Sequence, residues 1–149
     1  MLSKETLEAD LKKAMKAGDD VRKRTLRMVL SAIKLADVEK RGPQDEASLI
    51  AILQKEIKTR RESIADAERA HRDDLIASSQ AEIDVLDSYL PQRLSSDDLH
   101  SMVRKAIEET GASGPQDMGK VMKAVMPHVQ GRADGKDVND LVRSLLAQA

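Results

Sequence analysis

From Gln44 through Leu90 the chain has neither glycine nor proline, and within that stretch Ile50, Leu53, Ile57 and Ile64 recur along one seam at helical spacing. Arg60 falls in the gap of the seam. Strand-like alternation appears nowhere in the 149 residues. Tyr89 is the sole aromatic residue, so a core must be assembled from Leu, Ile, Val, Ala and Met, which means packed helices. The expected fold class is all-α. Ser79-Gln80-Ala81-Glu82 reads as a capping box, which divides the stretch into a long helix near 45–76 and a shorter one near 80–89.

The flanking segments have the same periodicity. Ser3 is placed to cap a first helix with Leu7, Leu11, Ala14 and Met15 on one face and Gly18 as its stop. Asp19 or Asp20 opens a second, in which Leu26, Val29, Leu30 and Ile33 follow the i, i+3, i+4, i+7 rule, and Gly42-Pro43 ends it. Leu90-Pro91-Gln92-Arg93-Leu94 marks a boundary, because proline pushes the preceding residue toward extended geometry. Ser95-Ser96-Asp97-Asp98 then restarts a helix with good capping chemistry. Helices are expected near 96–110, 116–127 and 137–148. The expected organisation is a helical bundle or hairpin domain over 1–90 and a small three-helix module over 95–149.

The segments Met118–Lys123 and Gly131–Lys136 carry the most functional information. Gly119 inside a helix costs about 1 kcal/mol against alanine, so close helix or ligand approach is expected there. Gly131 and Gly135 bracket a turn where positive φ is cheap, and Asp134 or Asp137 caps the following helix. Basic side chains beside helix N-terminal amides suit phosphate. Lys120, Lys123, Arg132, Lys136 and Arg143 outnumber Asp134, Asp137 and Asp140 in this region.

Composition narrows the function classes. Hydrophobic residues at 40% and charged residues at 34% fit a folded helical protein rather than a disordered one. The formal net charge of −1 means that nucleic-acid binding must come from a local patch. A single aromatic leaves no set of stacking platforms for reading single-stranded bases. The absence of cysteine excludes disulfides, thiolate zinc sites and cysteine nucleophiles. His71, His100 and His128 are widely separated and lack metal-site spacing. No nucleotide-binding loop or nucleophile elbow occurs, and Asp97-Asp98 sits where a helix N-terminus favours negative charge. Neither a catalytic residue, a cofactor nor a metal is therefore expected. With no apolar stretch of signal-peptide or membrane-span length, a cytoplasmic location without membrane partners is the expectation.

Several segments together resemble the YqeY proteins: Leu11 through Ala17, Thr25 through Lys34, and Glu82-Ile83 through Tyr89-Leu90-Pro91. The segments Met118–Lys123 and Gly131–Lys136 resemble the module those proteins share with the tail of the amidotransferase B subunit, which converts misacylated Glu-tRNA or Asp-tRNA. The resemblance implies an all-helical two-domain fold with a tRNA-binding tail, and tRNA or a tRNA-processing enzyme as partner. It implies no reaction for this chain alone, because glutamine-dependent carbon–nitrogen ligation needs an ammonia-generating subunit and a phosphorylating domain. One departure is local: His71 stands before Arg72 where many relatives have glycine.

Two functions follow. One is a non-catalytic RNA-binding accessory protein using Lys120, Lys123, Arg132, Lys136 and Arg143. The other is an adaptor docking a protein through Met118, Met122 and Met126, which lie at i, i+4 and i+8. The strips Arg22-Lys23-Arg24 with Arg27, and Lys58 with Arg60 and Arg61, are read as solvated helix faces.

Overall fold

The computed structural model describes residues 1–148 and contains seven α-helices with no strand among them. The fold is all-α. The chain divides into two compact units, Met1–Leu90 and Pro91–Ala149.

The first unit holds α1 (Lys4–Ala17), α2 (Asp20–Lys40), α3 (Glu46–Arg69) and α4 (Asp73–Asp87). Local chemistry sets most of their ends. Ser3 accepts from the Thr6 amide at the start of α1, Asp19 from Arg22 at the start of α2, and Asp45 from Ser48 at the start of α3. The end of α2 departs from expectation: Arg41, not Gly42, takes the left-handed conformation, at φ 59°. Gly42 instead donates its amide to the Asp37 carbonyl at 3.0 Å, and Pro43 follows.

The division near residue 79 is also corrected. The break lies at Ala70–Arg72, where His71 is left-handed at φ 53°, and Ser79–Glu82 are interior to α4. The histidine thus occupies the conformation that glycine adopts most cheaply. Arg72 and Asp74 form two 3.0 Å bonds across the new helix start. Glu82 is not a capping partner because both its oxygens are engaged elsewhere: Oε1 accepts from Arg24 at 3.0 Å and Oε2 from Arg60 at 2.8 Å.

Leu7, Leu26, Val29, Ile33, Leu53, Ile57, Ile83 and Leu86 form the core of this unit. Arg60 is buried beside it at 5% exposure, which overturns its reading as part of a solvated face. Its Nη1 donates to the Glu56 carboxylate at 2.7 Å and to the Glu56 carbonyl, and its Nη2 reaches the Met28 sulfur at 3.5 Å. Arg22 is likewise engaged, lying 5.6 Å from the Tyr89 ring centroid. The Tyr89 hydroxyl donates to Asp10 at 2.7 Å. Burial and that carboxylate push the phenol up to about 12.

The second unit holds α5 (Ser96–Thr110), a 3-10 turn at Pro115–Asp117, α6 (Met118–Val129) and α7 (Gly135–Ala147). Ser95 caps α5 and Asp134 caps α7, accepting from Asp98 and Lys136 respectively. α6 continues past Pro127 to Val129, whose side chain is fully buried and anchors the last turn. Val103, Val121, Val125, Val129, Val138, Val142 and Leu146 fill the core. Met118, Met122 and Met126 are partly buried against it. The stripe at helical spacing is thus shared between the shoulder of the core and the surface.

Candidate nucleic-acid interface

Helix direction decides which candidate cations meet. The Leu94 amide donates to the Arg132 carbonyl at 2.8 Å, so the N-termini of α5 and α7 lie at one end of the second unit. At the other end, the Lys120 ammonium donates to the Thr110 carbonyl at 3.4 Å, beside the C-terminus of α5. α6 thus runs antiparallel to α5. From Lys120 to Val129 the helix rises by about 14 Å. Lys120 and Lys123 consequently do not join Arg132 and Lys136 in one cluster. Lys136 and Arg143, seven residues apart on α7, share its outer face with Asp140.

A cleft of about 310 Å³ opens between the starts of α5 and α7. Leu94, Leu99 and Leu141 line it with Arg93, His100 and Arg132, and Asp134 and Asp137 belong to the same wall. Arg93 and His100 were not among the expected site residues. They come from the boundary and from α5, far in sequence from the α6–α7 turn. Arg132 is half-buried, and its Nε donates to the Gln92 carbonyl at 3.1 Å. It is first a brace for the segment leading into α5. Gly131 takes φ 79° and allows the chain to reverse between α6 and α7.

A Cβ at Gly119 would meet nothing within 4 Å, so close helix packing does not explain that glycine. Of the two glycines bracketing the turn, Gly131 takes the positive φ and Gly135 does not. Gly135 begins α7 and Asp134, not Asp137, caps it.

Electrostatically the second unit is balanced, with eight Lys and Arg against eight Asp and Glu in residues 91–149. Lys120, Lys123, Lys136 and Arg143 are exposed, and none of them, nor Arg132, forms an ion pair among the described residues. Arg143 reaches the Asn139 amide oxygen at 3.3 Å, a neutral partner. No group of His, Asp and Glu among the described residues is arranged to hold a metal ion. Among the described residues no helix is long and apolar enough to cross a membrane.

The family model described as Yqey-like protein matches residues 4–146. The chain belongs to the YqeY family. Similar curated proteins are named "Altered inheritance of mitochondria protein 41, mitochondrial". The Saccharomyces cerevisiae protein is 39% identical over 105 residues, covering 68% of this chain and 57% of its own length. The Pyrenophora tritici-repentis protein is 31% identical over 129 residues, covering 85% of this chain and 71% of its own. The Lachancea thermotolerans protein is 36% identical over 112 residues, covering 73% and 60%. The matched region of this YqeY chain thus spans about 57% of the yeast relatives' length. These names overturn the cytoplasmic expectation. Neither the lack of cysteine nor the lack of a long apolar helix among the described residues selects a compartment.

Proposed function

We propose that this YqeY protein binds structured RNA of the transfer-RNA class by its phosphate backbone, as an accessory to a tRNA-processing enzyme. The observation that carries the reading is the set of cations without carboxylate partners on α6 and α7, inside a unit whose formal charges balance. Unpaired ammonium and guanidinium groups release condensed counterions when they meet phosphates, which favours binding without any base contact. The resemblance of Met118–Lys123 and Gly131–Lys136 to the amidotransferase B tail points to the same ligand class. Lys136 and Arg143 on α7 form one contact strip, and Lys120 and Lys123 on α6 form another. No reaction is proposed for the chain.

The test is anisotropy of labelled tRNA titrated with the full chain at several salt concentrations. Lys123→Glu with Lys136→Glu should weaken binding strongly while leaving the melting temperature unchanged. The salt slope should flatten by about 0.7–0.9 for each lost contact. Arg132→Glu is a poorer probe, because it also releases Gln92. The control is Lys58→Glu with Arg61→Glu, two exposed cations of α3. Loss of affinity confined to that control would place the RNA on the first unit and end this assignment.

A further inference from the structure

The outward side of α2 carries an apolar stripe that its own unit covers only in part, Met28 lending its sulfur to Arg60 at 3.5 Å and Leu35 and Val38 standing more exposed. Met28 is 48% exposed, Leu35 61% and Val38 67%, three of the six large hydrophobics left exposed among the described residues. At 3.6 residues per turn they fall within about 80° of arc, away from the buried Leu26, Val29 and Ile33. Ser31, small and exposed, lies between Met28 and Leu35 on the same side. Arg27 and Lys34 border the stripe along one edge, both exposed and without an ion-pair partner among the described residues. Arg24 lies in line with the stripe but is held by Glu82 at 3.0 Å. The carboxylates on this side are Asp20, paired with Lys23 at 3.4 Å, and Glu39, beyond the last apolar residue.

We infer that this face docks an amphipathic α-helix of a partner protein, with an apolar seam flanked by Asp or Glu. The seam would cover Met28, Leu35 and Val38, and the flanking carboxylates would meet Arg27 and Lys34 at the rim, where charge sets register and partner choice. The stripe from Arg24 to Val38 is about 21 Å long, matching about four turns of a docked helix. Met28 adds an adaptable contact. An RNA backbone would leave the apolar centre without a role. An anionic membrane surface would gain less, since interfacial binding scales with buried apolar area and this face offers three aliphatic side chains and no aromatic anchor.

The test uses the full chain and three designed fluorescent helical peptides of about five turns each. One has leucines at i, i+3, i+4 and i+7 flanked by Glu, one has the same composition shuffled, and one has Lys in place of the Glu flanks. The Glu-flanked peptide should bind about tenfold or more tightly than the shuffled one. Leu35→Ser with Val38→Ser should remove that advantage. Arg27→Glu with Lys34→Glu should weaken the Glu-flanked peptide and turn the preference to the Lys-flanked one. On the unmutated chain, methyl NMR shifts caused by the Glu-flanked peptide should centre on Met28, Leu35 and Val38. Equal binding of the shuffled peptide, absence of binding, or shifts elsewhere would overturn the proposal. So would phosphatidylserine vesicles binding through these residues while the peptide does not.

Discussion

The two units differ in whether charge enters the core. The first unit buries one charged cluster, with Arg60 between Glu56 and Glu82 and Arg24 sharing Glu82, while Arg27, Lys34, Lys58 and Arg61 stay exposed. The buried polar side chains among the described residues, Thr25 and Arg60, both lie there. Eight of the nine ion pairs among the described residues belong to it. The second unit has an all-apolar core dominated by valines and one ion pair, Lys105 with Glu109. A buried charge is costly to leave unpaired, so the first unit is specified by a polar lock, and cations of the α6–α7 half remain available to an external anion.

The largest effect should come from opening that lock. Arg60→Ala leaves Glu56 without a cation and Glu82 with Arg24 alone, and should cost the first unit about 3 kcal/mol. Hydrogen exchange read by mass spectrometry should show the lost protection over residues 1–90 and unchanged protection in α5–α7. Uniform loss across both units would erase the contrast. Replacing Arg60, Glu56 and Glu82 together by apolar residues of similar size should recover much of the stability, since no buried charge is then left alone.

Next in size is Gly131→Ala. Its left-handed backbone should cost the second unit about 1–2 kcal/mol, read by denaturant unfolding. A neutral result would mean that the α6–α7 turn relaxes to another conformation. Tyr89→Phe should cost about 1 kcal/mol through the lost 2.7 Å bond to Asp10, leaving the ring in place under Arg22.

The smallest effect concerns Lys4 and Asp37, 3.0 Å apart. The hydrogen bond from Lys4 lowers the Asp37 carboxyl from its ordinary value. A depressed carboxyl contributes stability above its unfolded value and loses it as pH falls through the folded one. Lys4→Met should therefore be less stable than the natural chain at neutral pH, and the difference should shrink below about pH 4. A difference that persists in acid would assign the role of Lys4 to packing of its stem.

Much of the fold was legible because its signals are local. Ser3, Gly18, Asp19 and Ser95 act on amides and carbonyls a few residues away, and the helices they bound were expected from sequence. The α3–α4 break was misplaced because a histidine takes the left-handed turn at 71 without any glycine to signal it. Arg60 looked like a surface residue because its decisive partner, Glu82, lies 22 residues away. The candidate cations were legible as types but not as a constellation.

What the sequence alone determined is the helical class, the family and most helix starts, because periodicity and capping depend on neighbours within about one turn. The tertiary structure decided which charges are buried, which methionines pack against a core and which cations share an end of the second unit. Those outcomes depend on helix direction and on desolvation by distant segments, and neither property is carried by the spacing of residues along the chain.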